Sequence, residues 1–122
     1  MILGLGIDLA EVARIARACE KAHFRSRIFS ENENARIDER GMQTAAGIFA
    51  AKEAVAKALG TGFRGFAPDS IEILTDELGR PECRLYKGAL ERMQKMGASR
   101  ILVSITHTND TAAAVAILEG DA

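Results

Sequence analysis

The sequence predicts an α+β domain, and three observations carry that expectation. Apolar segments with the alternation of strands stand at the start, the middle and the end of the chain, and capping and stop signals bracket helices between them. No internal repeat, low-complexity tract or linker interrupts the order strand, helices, hairpin, helix, hairpin. At 122 residues and 48% hydrophobic, the chain holds apolar material for one core and too little length for two, so residues 1–122 are expected to form one domain.

Residues 2–7 read as a buried strand whose glycines, Gly4 and Gly6, allow another backbone to come close. Asp8 followed by Glu11 has the spacing of a capping box, and Val12, Ile15, Ala16, Cys19 and His23 share one face of a helix running to about Ala22. A second capping box, Ser30 with Glu33, opens a shorter helix that ends near Gly41. From about Thr44 to Leu59 the chain is rich in helix-forming apolar residues, and Gly60 is placed to stop it. Residues 60–68 form a glycine-rich loop, strands follow at 71–75 and 82–85 around a turn at 77–81, and Lys87 to Met96 forms a helix closed by Gly97. Ile101, Val103 and Ile105 alternate with Leu102, Ser104 and Thr106, and Thr108-Asn109-Asp110 turns the chain into a last strand ending near Leu118.

Sixteen Lys and Arg against seventeen Asp and Glu leave a formal charge of -1, which gives no general pull toward nucleic acid or anionic membrane. Cys19 and Cys83 match neither a metal-site spacing nor a disulfide framework, so a reducing, cytoplasmic setting is expected. The opening apolar run stops at Asp8 without a basic leader, and is read as neither signal peptide nor membrane anchor.

Glu53 and Lys57 lie one turn apart on a helix that is otherwise apolar almost all round. They read either as an intrahelical ion pair or as a cation ligand beside an ammonium that faces phosphate. A second carboxylate separates the two readings, and Asp8, at the end of a buried strand, is the candidate; its alternative is a helix cap. His107 continues the inward set of Ile101, Val103 and Ile105, which makes it a core histidine or a catalytic one. Lys57, Thr61 and Arg64 are candidate phosphate contacts, although the loop after the helix has no P-loop order. Arg14, Arg17 and Lys21 oppose the apolar face of the first helix, and Arg25 and Arg27 follow. Glu20 is the only acid between residues 12 and 30, so this face reads either as solvated or as a dock for an acidic protein; no aromatic residue interleaves it as in a nucleic-acid face.

Four segments taken in order, Gly4-Leu5-Gly6-Ile7-Asp8, Phe49-Ala50-Ala51-Lys52-Glu53-Ala54 continuing to Lys57-Ala58-Leu59-Gly60-Thr61-Gly62, Gly79-Arg80-Pro81 and Val103-Ser104-Ile105-Thr106-His107-Thr108, resemble the holo-acyl-carrier-protein synthase family over almost the whole chain. The resemblance implies a 4'-phosphopantetheinyl transferase fold, an antiparallel sheet packed against a long helix, assembled as a homotrimer with active sites between subunits. It implies coenzyme A as substrate, Mg2+ held by Asp8 and Glu53, Lys57 near the substrate phosphates, His107 in the active site, and Arg14, Arg17 and Lys21 docking acyl carrier protein. A carrier serine would attack the β-phosphate of coenzyme A, with Glu53 acting through a water as the first candidate base and His107 as the second. One position departs from the pattern: Ile48 stands where the family usually has Arg. That departure keeps a non-catalytic carrier-protein or coenzyme A binding relative as an alternative, beside a small nucleotide hydrolase using the same carboxylates.

Overall fold

The architecture follows from strand alternation at the two ends of the chain. In a computed structural model, which describes residues 1–121, β1 (Ile2–Glu11) pairs antiparallel with β5 (Thr111–Gly120), and β5 pairs with β4 (Ala98–His107), giving a sheet of order β1-β5-β4. Between β1 and β4 come α1 (Val12–Cys19), α2 (Ala22–Ile28), α3 (Glu31–Arg40), α4 (Met42–Ala58), the hairpin β2 (Ile71–Thr75) and β3 (Pro81–Leu85), and α5 (Lys87–Lys95). The core lies between the sheet and the 17-residue α4. Small side chains bring the two layers together: Ala112, Ala114 and Ala116 of β5 and Ala50, Ala51, Ala54 and Ala58 of α4 are all buried.

The closest approach is at β1. A methyl group on Gly6 would sit 1.8 Å from the carbonyl oxygen of Ala54, and one on Gly4 would sit 2.0 Å from that of Ala58. The strand backbone therefore touches the helix backbone, as the two glycines predict. Side chains on a strand alternate, so Gly4, Gly6, Asp8 and Ala10 all face α4.

Two boundaries differ from the sequence expectation. β1 continues through Asp8 to Glu11, because Asp8 pairs with Ala114 and Ala10 with Ala112 along β5. Asp8 is thus a strand residue, and Glu11, which makes no side-chain cap, precedes α1. The single helix expected to reach Ala22 is two helices separated at Glu20-Lys21, so Lys21 is not on the helix that carries Arg14 and Arg17. The apolar phase explains the break. Ile15 is buried, but the positions that continue its stripe, Ala22 and His23, are exposed, whereas Phe24 and Ile28 are turned inward. Phe24 packs edge-on to Phe29 at 6.1 Å and stacks on Phe49 at 6.3 Å, and one straight helix cannot bury both stripes.

β1, expected to be buried, is covered on one face only, with Leu5 and Ile7 65% exposed on the other; the cap and turn signals that follow are realised. Ser30 and Glu33 form a reciprocal capping box on α3, and Gly41 at φ 100° lets the chain turn directly into α4. Asp76 closes the β2–β3 turn by accepting from the amides of Leu78 at 2.9 Å and Arg80 at 2.8 Å. Cys19 and Cys83 are free thiols.

Replacing Gly6 by Ala is expected to lower stability by about 3 kcal/mol, since neither backbone can retreat without moving the sheet. Denaturant unfolding of the variant checks this, and undiminished stability would mean that strand and helix are not in backbone contact.

Candidate active site

Asp8 reaches the helix because the strand is pressed onto it. Its carboxylate meets Lys57 Nζ at 3.1 Å, and the same ammonium donates to the Ile7 carbonyl at 3.0 Å. Lys57 pairs with Asp8 across the strand–helix boundary rather than with Glu53 along its own helix. The pair is open to solvent, with the Lys57 side chain 52% exposed and Asp8 18%, so screening keeps it weak as a stabilising contact.

Glu53, one turn before Lys57, is half-buried beside the same charges. Burial pushes its carboxyl above the ordinary value, and the negative charge of Asp8 pushes it further; Lys57 and Arg14 act in the opposite direction. The two carboxylates thus repel each other across a partly dry gap, with two cations at its edge. Glu53 also lines a mostly apolar hollow of about 240 Å³ with Phe24, Ile28, Phe49, Lys52, Phe63 and Pro68. Two acids and an ammonium brought together, with Glu53 alone of the three also lining an apolar pocket, can orient a polyanion, bind a cation and accept a proton. Among the described residues no group of three or more His, Cys, Asp or Glu comes together to hold a metal, so the acids here are the pair Asp8 and Glu53.

The other candidate residues lie elsewhere on the chain. His107 shares the α4-facing side of β4 with Ile105, but it stands past the edge of the core, exposed, with Nδ1 3.3 Å from the Thr108 carbonyl. It is not a core histidine: Ile105 packs against Gly47 of α4, whereas His107 borders an open groove. A groove of about 220 Å³ runs beside it, lined by Arg36, Arg40, Gln43 and Gly79 and floored by the buried Ile48; Asp8, Glu53 and Lys57 do not line it. Burial and the nearby charge of Arg40 lower the proton affinity of Arg36, the sign of two cations crowded at one wall. Thr61 and Arg64 line a third hollow, of about 200 Å³, with Arg92 and Lys95 of α5. Arg14 and Arg17 are exposed on α1 and Lys21 lies exposed between the first two helices.

Sequence reasoning missed Arg36 and Arg40, whose helical spacing of four was the available signal, and the three phenylalanines that wall the hollow at Glu53. It also passed over Lys52, a charged residue in the most buried stripe of α4, Ile48-Lys52-Val55-Leu59.

Comparison with known proteins points the same way. Residues 4–116 match the family model described as the 4'-phosphopantetheinyl transferase superfamily. A holo-[acyl-carrier-protein] synthase of Solidesulfovibrio magneticus is 49% identical, covering 98% of this chain and all of the relative. The crystal structure of holo-[acyl-carrier-protein] synthase from Neisseria meningitidis superposes with a TM-score of 0.87 at 37% identity, covering 98% of this chain and 99% of that one. A holo-(acyl-carrier-protein) synthase from Bacillus anthracis, solved in complex with CoA (3',5'-ADP), does so with a TM-score of 0.83 at 32% identity over 99% of each chain. The aspartate of β1, the helix bearing Glu53 and Lys57 and the sheet packed on that helix therefore belong to a holo-[acyl-carrier-protein] synthase chain, a member of the 4'-phosphopantetheinyl transferase superfamily.

Proposed function

We propose that residues 1–122 act as one 4'-phosphopantetheinyl transferase domain that moves the phosphopantetheine arm of coenzyme A to a serine of apo acyl carrier protein, releasing adenosine 3',5'-bisphosphate, in fatty acid biosynthesis. The observation that carries this reading is the meeting of Asp8, Glu53 and Lys57 at the strand–helix contact. The residues fit Mg2+ by their chemistry: they are two hard oxygen donors, the proton affinity of one is raised by burial and by the other's charge, a divalent cation relieves that repulsion, and a pair leaves positions for water and substrate phosphate. When bound there, the ion would supply charge to bind a pyrophosphate and offset the charge that builds on the leaving group. Lys57 sets a fixed positive charge beside the phosphates, and Glu53, with its raised proton affinity, is suited to take the serine proton; His107 is the second candidate. Positioning and electrostatics suffice for such a transfer, and no covalent enzyme intermediate is required.

A homotrimer with sites between subunits accounts for two features. The sheet face turned away from α4 carries Leu5, Ile7 and Leu9 at 65%, 65% and 67% exposure beside Leu102 at 45%, an apolar surface suited to cover by other copies. His107, Arg36 and Arg40 stand apart from Asp8 and Glu53 within one chain, so an adjacent copy is the natural source of their contribution. The exposed cations Arg14, Arg17 and Lys21 supply a dock for the acidic carrier protein. No helix among the described residues is long and apolar enough to cross a membrane; the cytoplasmic setting is inferred from the cysteine usage.

The decisive assay is the mass gain of purified apo carrier protein incubated with the chain, coenzyme A and Mg2+. No mass gain, with both ligands bound, would favour a binding relative. Glu53→Gln and Asp8→Asn are expected to lower turnover by about a hundredfold or more. Because the folded carboxyl of Glu53 holds its proton more tightly than the unfolded one, folding stability falls as pH rises from the ordinary carboxyl value to the raised one, and the loss persists above it. Glu53→Gln is therefore expected to melt no lower than wild type at neutral pH without divalent ions, and to lose the rise in Tm that MgCl2 gives wild type; thermal melts in EDTA and in MgCl2 check both. Arg17→Glu is expected to raise the KM for carrier protein several-fold with kcat little changed, more so at low salt, in steady-state kinetics. Ile7→Glu is expected to give a smaller particle in sedimentation and to lose activity; an undiminished assembly would place the subunit contact elsewhere.

A further inference from the structure

Lys52 precedes Glu53 and lines the same hollow, but its ammonium is buried in the core. Its side chain is 1% exposed and that of Glu33 0%, and the two meet at 2.9 Å. A buried ion pair survives only where each member finds further partners. The ammonium donates to the Pro68 carbonyl at 3.0 Å and to the Ile71 carbonyl. Glu33 accepts from the amides of Ser30 at 2.8 Å and Ile73 at 2.7 Å.

The choice of backbone partners carries the inference. Pro68 opens, and Ile71 follows, the 3₁₀ turn by which the loop after α4 leads into the β2–β3 hairpin. That loop has no regular structure and turns on three glycines of positive φ, Gly60, Gly62 and Gly65. Its near end is fixed by α4 itself, and Lys52 ties down its far end from inside the core. Phe63 and Pro68 of the same loop are walls of the hollow that Glu53 lines.

We propose that Lys52 is a positioning residue for the transfer reaction: by gripping the Pro68 and Ile71 carbonyls it fixes the 60–70 loop that walls the Glu53 cleft, and Glu33 supplies the countercharge that keeps the ammonium buried. Stability alone gives no reason for an ion at this place, because well-packed apolar side chains usually serve a core as well or better. The kinetic half of this inference rests on the transferase reading above; the structural half does not.

The test uses Lys52→Met/Glu33→Gln, which removes both charges while leaving an acceptor for the α3 capping box. In hydrogen exchange of the ligand-free protein, faster exchange is expected to be confined to residues 60–73, with the sheet and the rest of α4 unchanged. In the transfer assay kcat is expected to fall about tenfold or more, with KM for carrier protein within about twofold of wild type. If that variant does not fold, Lys52→Gln, which keeps an amide donor toward the same carbonyls, is expected to show the same pattern at smaller amplitude. Wild-type protection of residues 60–73, or exchange that rises uniformly through the fold, overturns the anchoring role. Local exchange with undiminished kcat overturns its link to catalysis. A wild-type chain that transfers nothing, with the local exchange still seen in the variant, would sink the transferase reading and leave the anchoring intact.

Discussion

The contact between the backbone of β1 and the carbonyls of α4 is the constraint on which the site depends. With methyl groups at Gly4 and Gly6 excluded by the Ala54 and Ala58 oxygens, strand and helix lie closer than any pair of side chains would permit. The alternation that points both glycines at the helix points Asp8 there as well, two residues on. An aspartate has only one carbon between its backbone and its carboxyl, so it meets Lys57 only because that separation is so short. The glycines are thus part of the site without touching any substrate.

Two lysine–acid arrangements on α4 and its neighbours show how helical phase assigns chemistry. Lys52 and Lys57 differ by five residues, enough to move from the core face to the rim. On the core face, the ion pair is dry and fully answered by backbone groups, and its effect is to hold chain segments in place. On the rim, Lys57 is half in water and Glu53 is kept in a state that opposes its own ionisation. A carboxyl whose charge is disfavoured in the free protein is a cost that folding alone would remove, and its retention suits a role in which a cation or a proton arrives.

Much of the fold was legible because its signals are local. The Ser30–Glu33 box, the stop at Gly60, the turn expected at 77–81 and the alternation of the last two strands each depend on residues a few positions apart. The errors came where the same local pattern has two outcomes. Asp8 and Glu11 have the spacing of a cap, but an extended partner, β5, was available to continue the strand through them. Val12 through His23 reads as one amphipathic helix until Phe24 and Ile28 compete for the core from a different phase. His107 has the inward parity of its strand, and parity does not reveal where the covering helix ends.

The sequence by itself determined the α+β order, the helix stops, the room for a backbone to approach Gly4 and Gly6, and, through its motifs, the family. Tertiary structure alone decided that Lys57 pairs with Asp8 instead of Glu53, that Lys52 is buried against Glu33 and two carbonyls, and that His107 lies away from the carboxylates. The division has a physical origin. Period, caps and glycine freedom are properties of neighbouring residues, whereas the partner of a charge and the dryness around it are set by separate elements that meet only when the core closes.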